Sequence, residues 1–168
     1  GAGSGDGPLG PGAAGGQDTV PAAVPGCVHT DLLAAGLLAD PFLDRNEQDA
    51  AWVGRTDWTY ETALPAHTTG HERSDLVFDG LDTVAEITLG GRRLGATRNM
   101  HRSHRFDVTA DRSATAATVL TVAFTSAYTE AERVRSLVGE RPNSYPEPFQ
   151  YIRKMACSFG WNLGPTLV

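Results

Sequence analysis

Near the end of the chain, the run CSFGWNLGP (Cys157–Pro165) gathers an indole, a carboxamide and a Gly-Pro break into five positions: Trp161, Asn162, Leu163, Gly164 and Pro165. A strand that only fills a core has no use for that combination. An aromatic face suits the C–H face of a sugar ring, and amide and carboxylate groups suit its hydroxyls. A second set of such residues lies in DRNEQDAAWVGRTDW, where Trp52 and Trp58 neighbour Asn46, Glu47, Arg55 and Asp57. The chemistry these types would do together is sugar recognition. Trp58 also reads as a core residue, because it opens an alternating run.

Other chemistries are weaker. His67 and His71 are four apart, and His101 and His104 three apart, which imitates metal spacing on a helix. Gly70 places the first pair in a loop, however, and HRSH lies in strand-like sequence, where such side chains diverge. Exposed histidines are the better reading, and no metal or other cofactor is expected. Cys27 has His29 two residues on but reads as a small packed side chain. There is no G-x-S-x-G elbow. The carboxylates, Asp44, Glu47, Asp49, Asp57, Glu61, Asp75, Asp79, Asp82 and Glu86 among them, sit in no setting that would raise a pKa for general-acid work. The residues themselves thus show no catalytic constellation. GDGPLG (Gly5–Gly10) has the letters of a dinucleotide loop but no strand before it, and Pro8 stands where the helix would open.

The elements that must position these residues follow from periodicity. Residues 1–19 are rich in Gly, Pro and Ala and read as a flexible segment. Residues 20–168 read as one domain. Two Val-Pro pairs favour extended backbone, then Thr30 is placed to cap a short helix carrying Leu32, Leu33, Leu37 and Leu38, closed by Pro41. From Trp58 onward the period becomes two. WTYETAL, SDLVFDGL, TVAEITLGGRRLGAT, HRFDVTA and ATVLTVAFTSA supply at least five strands, and Gly90-Gly91 is a hairpin turn. Ala85, Ile87 and Leu89 share one face, as do Leu120, Val122 and Phe124. A helix is expected over Tyr128–Glu140, a Pro-rich loop after it, and a last strand over FQYIRKMACSFGW. No crossover helix separates the strands, so the fold class is all-β, an antiparallel sandwich with short helical insertions.

Composition narrows the partners. The chain has 168 residues, 14 Lys and Arg against 20 Asp and Glu, and a formal charge of −6. Nucleic acid is an unsuitable partner, because phosphate binding requires clustered cations. The densest basic run, Gly91–Arg105, reads as a solvated hairpin edge. No apolar run reaches the ~18 residues of a membrane span. Two cysteines, Cys27 and Cys157, are no disulfide framework, and free thiols in a reducing cytoplasm are expected.

Five blocks in order, VPGCVHTDLLAAGLLADPF, RNEQDAAWVGRTDWTY, DLVFDGLDTVAEITLGGRRLG, NMHRSHRFDVT and YIRKMACSFGWNLGP, resemble the N-terminal domain of glycoside hydrolase family 2 β-mannosidases. The resemblance covers about residues 20–168. It implies a jelly-roll sandwich of the galactose-binding type, attached to a catalytic barrel of the same full-length chain. That barrel would remove terminal β-mannosides with retention, using two glutamates about 5 to 5.5 Å apart. A barrel typically takes ~250 residues, so the catalytic pair is not expected in these 168 residues. The family pattern at the closing loop is Trp-Asp-Trp-Gly-Pro, which contacts the terminal sugar. Trp161, Gly164 and Pro165 match it, while Asn162 and Leu163 stand where the family has Asp and Trp. The resemblance therefore implies Trp161, Asn162 and Leu163 as substrate-binding positions. Two other readings are a free-standing carbohydrate-binding module and the same domain of an exo-β-glucosaminidase.

Overall fold

The computed structural model describes residues 19–66, 72–111, 115–143, 145–160 and 164–168. The Gly-rich run, read above as flexible, lies outside them up to residue 18, as do His67 and His71. Six strands form among the described residues: β1 Trp58–Leu64, β2 Asp75–Phe78, β3 Val84–Leu89, β4 Arg92–Arg98, β5 His104–Asp107 and β6 Thr118–Thr125. Strands β1, β6, β3 and β4 make one sheet in that order, and β2 pairs with β5 in a second. All of these pairings are antiparallel.

The alternation read from sequence is the burial pattern. Ala85, Ile87 and Leu89 of β3 meet Leu120 and Val122 of β6 in one buried cluster with Val108. Leu76 and Phe78 of β2 and Phe106 of β5 pack against that cluster from the second sheet, which makes the domain a sandwich. Gly90 and Gly91 both take positive φ, 57° and 82°, as a two-residue hairpin turn demands. In the β3–β4 pair the register shifts at Ile87/Thr88. Just past it, a Cβ on Gly95 would stand 2.7 Å from the Phe106 ring. The missing side chain is what lets the second sheet approach so closely.

Three helices decorate the sandwich: α1 Val28–Ala34, α2 Asn46–Ala50 and α3 Ala127–Val138. Helix α3 falls where expected, capped by Ser126, whose hydroxyl accepts from the Thr129 N–H at 3.3 Å. Helix α1 corrects the expectation in two ways. Its cap is Cys27, not Thr30. Thr30 lies one turn in and reaches back, accepting from the Cys27 N–H at 3.4 Å and donating to the Cys27 carbonyl at 2.7 Å. The helix also stops before Leu37 and Leu38. Gly36, at φ 70°, ends it in a Schellman motif, with Leu37 N–H bonded to Leu32 O and Gly36 N–H to Leu33 O. Leu37 is left 59 % exposed.

Among the described residues, the expected last strand is absent. They form two short 3-10 turns, Phe149–Tyr151 and Ala156–Phe159, and between them Arg153 makes one parallel bridge to Asn99. The reason is packing. Tyr151 and Phe159 are buried, but Arg153 and Met155 face solvent, so the segment has no continuous inward face for a sheet to cover.

Candidate sugar-contact loop

The loop begins at a buried anchor. Phe159 has no exposed surface and stands edge-on to Tyr128, with ring centroids 5.6 Å apart, and tilted against Phe149 at 6.5 Å. Gly160 follows in the left-handed region at φ 76° and ends the second 3-10 turn. A Cβ there would stand 2.4 Å from Thr166 Oγ1 and 3.2 Å from the Tyr145 hydroxyl. Gly160 therefore allows the outgoing and returning strands of the loop to touch. Trp161, Asn162 and Leu163, the expected substrate-binding positions, lie between these stems but outside the described residues.

The returning stem is fixed by α2 and the turn after it. The Thr166 N–H donates to Glu47 Oε1 at 2.8 Å. A Cβ on Gly54 would lie 2.8 Å from the Val168 carbonyl and 3.4 Å from the Tyr128 ring, so the tail runs directly over Gly54. The base is then braced to α3. Ser126 donates its N–H to Asp57 Oδ1 at 2.7 Å and its hydroxyl to the Gly54 carbonyl at 2.8 Å. The Arg55 guanidinium stacks 4.3 Å above Tyr128. Burial, then a hydrogen bond to Glu147, holds the Tyr128 phenol above its usual pKa, so this aromatic stays neutral.

The second set of sugar-type residues does a different job. Trp52 and Trp58 pair at 5.8 Å, and the Trp58 indole N–H donates to the Val53 carbonyl at 3.0 Å. Asn46 donates its amide to the Asp40 carbonyl at 2.8 Å. Together with the bonds of Glu47 and Asp57, these contacts form a collar on which Thr166 and Val168 rest. The sequence reading marked these residues for their types. Nothing local signals that Asn46, Glu47, Asp57 and Trp58 each commit a polar group to another part of the domain. The sequence reading passed over Phe159 and Gly160, although an aromatic before a glycine at a loop entrance is a cue for an anchored turn.

Four described carboxylates are displaced away from general-acid chemistry. Asp75, Asp107, Asp111 and Glu130 are each held below the ordinary carboxyl range, by bonds from Arg105, Thr109, Arg92 and Arg133 first in turn. A general acid at neutral pH needs the opposite displacement. His104 begins β5 whereas His101 sits in the preceding turn, and no group of three or more His, Cys, Asp or Glu among the described residues could hold a metal ion.

The family described as glycosyl hydrolase 2 galactose-binding domain-like matches residues 12–168. The chain belongs to that family. The β-mannosidase of Capra hircus is 37% identical over 158 residues, which cover 88% of this chain and 18% of the relative. β-Mannosidase A of Emericella nidulans is 34% identical over 161 residues, covering 89% and 17%. The crystal structure of β-D-mannosidase from Dictyoglomus thermophilum superposes with a TM-score of 0.78 at 34% identity, over 87% of this chain and 18% of that one. An exo-chitosanase of Amycolatopsis orientalis, in complex with PNP-β-D-glucosamine, gives 0.57 at 25% identity over 63% and 13%. This galactose-binding-like domain thus spans less than a fifth of the length of the β-mannosidases it matches. No helix among the described residues is long and apolar enough to cross a membrane.

Proposed function

We propose that this domain is the N-terminal accessory part of a retaining β-mannosidase-like hydrolase, and that Trp161, Asn162 and Leu163 contact the terminal β-mannoside bound by the catalytic barrel of the same polypeptide. The observation that carries the reading is the bracing on both sides of positions 161–163. Phe159, Gly160 and Thr166 fix the flanking chain, and fixed flanks lower the entropic cost of a contact made between them. Similarity to a β-mannosidase over 88% of the chain supports a β-mannoside as the substrate class. The two glutamates of a retaining mechanism belong to the rest of the polypeptide, and this domain contributes substrate contacts but no catalytic residue. Cys27 and Cys157 are free thiols, which suits a reducing compartment such as the cytoplasm.

The test uses a full-length enzyme carrying this domain. Trp161→Ala should lower kcat/KM for an aryl β-mannoside by about tenfold, the equivalent of ~1.4 kcal/mol of lost transition-state binding. Thermal stability should be unchanged. The reverse change, Asn162→Asp with Leu163→Trp, should raise kcat/KM, since a charged acceptor binds a hydroxyl more strongly than a neutral one. Unchanged kinetics in both variants would refute the loop's role. The likeness to the exo-chitosanase favours a second reading, a β-glucosaminide substrate. Preference for an aryl β-glucosaminide over the β-mannoside in the same assay would select it. Tight binding of mannose-terminated oligosaccharide by the domain alone would instead favour a free-standing module.

A further inference from the structure

On the face bounded by α3 and the end of β4, a cleft of 210 Å³ is lined by Arg98, Arg133 and Arg153 around Glu130, with Val84, Val134 and Ile152 among its walls. The Glu130 side chain is 8% exposed. Arg133 binds it through Nε at 2.7 Å and Nη2 at 2.9 Å, and Arg98 binds it through Nη1. One guanidinium would neutralise this carboxylate. Two hold it, and a third lines the same cleft with no ion pair among the described residues. Three cations against one anion leave a local excess of positive charge in a chain whose formal charge is −6.

The arrangement is also ordered. The buried carboxylate fixes the orientation of Arg98 and Arg133, so their remaining N–H groups are held in place. The Asn99–Arg153 bridge, closed by the Met100 N–H to the Arg153 carbonyl at 3.1 Å, sets Arg153 beside the end of β4 that carries Arg98. Aliphatic walls lower the local dielectric and strengthen attraction for an anion. We propose that this cleft is an oxyanion site, taking the carboxylate or phosphate of a small anionic ligand between Arg98 and Arg153, with Glu130 and Arg133 as positioning residues.

The test titrates inorganic phosphate, glucuronate and glucose into the 168-residue chain at constant ionic strength set with chloride, followed by amide resonances and calorimetry. Phosphate and glucuronate should shift the amides around Arg98–Met100 and Ile152–Arg153, and glucose should not. Arg153→Gln, at an exposed position without an ion pair among the described residues, should keep the melting temperature and weaken both anions by about tenfold. Arg98→Lys, which keeps the charge opposite Glu130, should weaken them less. Glucuronate binding tighter than phosphate would identify an acidic sugar as the source of the oxyanion, and the reverse order a phosphate. Equal binding by parent and Arg153→Gln, shifts matched by chloride alone, or no saturable binding by either anion would overturn the proposal.

Discussion

The sandwich and the closing segment from Phe149 to Val168 hold their shapes in different ways. In the sandwich, six buried side chains, from β3, β6 and Val108 just after β5, share one cluster, and eight half-buried ones surround it. The loss of any one is spread over many neighbours and over two sheets of paired backbone. The closing segment has little sheet pairing of its own. It hangs on single contacts: Phe159 against Tyr128, Thr166 on Glu47, and the Lys154 ammonium 2.6 Å from Asp82 with its side chain only 8% exposed. The difference teaches where precision comes from. Redundant burial makes a fold, whereas a few non-redundant contacts set the course of the described closing residues.

The largest effects should come from Ile87 and Phe159, two large side chains with no exposed surface. Ile87→Ala, in the central strand, should cost about 2–5 kcal/mol, and Phe159→Ala about 3–5 kcal/mol. The comparison predicts different signatures. Ile87→Ala should lower the melting temperature with one cooperative transition, while Phe159→Ala should in addition loosen residues 145–168 below that transition, read as amide exchange. Equal protection of both regions in both variants would erase the distinction. Next in size is Gly95→Ala. Its Cβ would press on the Phe106 ring, and overpacking of this kind costs about 1–3 kcal/mol by denaturant titration. A neutral result would mean that the sheets separate easily, and that the sandwich is less redundant than described. The smallest effect is Glu47→Ala. Losing one part-buried bond from the Thr166 N–H to a charged acceptor should cost about 1.5 kcal/mol. Its clearer readout is faster exchange at the Thr166 amide with β3 unaffected.

These contrasts also explain what the sequence revealed. Period-two burial is a local pattern, so Ala85-Ile87-Leu89, Leu120-Val122 and the Gly90-Gly91 turn were legible before any coordinates. The closing segment was misread as a strand because aromatics at Phe149, Tyr151 and Phe159 look strand-like, and nothing local reports that a sheet partner is missing. The end of α1 was misplaced for a related reason. Four leucines suggested a longer helix, and Gly36, which terminates it, is small enough to overlook. At the site, resemblance pointed to Trp161, Asn162 and Leu163, and the types of Asn46, Glu47 and Asp57 pointed to hydroxyl binding. Whether a polar side chain meets a ligand or its own backbone depends on residues distant in sequence, such as Thr166 and Ser126. No spacing rule carries that information.

The contact between Gly160 and Thr166 has a consequence for how such domains diverge. A side chain at position 160 would have to displace Thr166, and Thr166 is tied through its N–H to Glu47 of α2. A change at 160 would therefore be felt in a helix more than a hundred residues earlier in the chain. Position 160 can vary only in concert with that helix, whereas Met155, 45% exposed, can change alone.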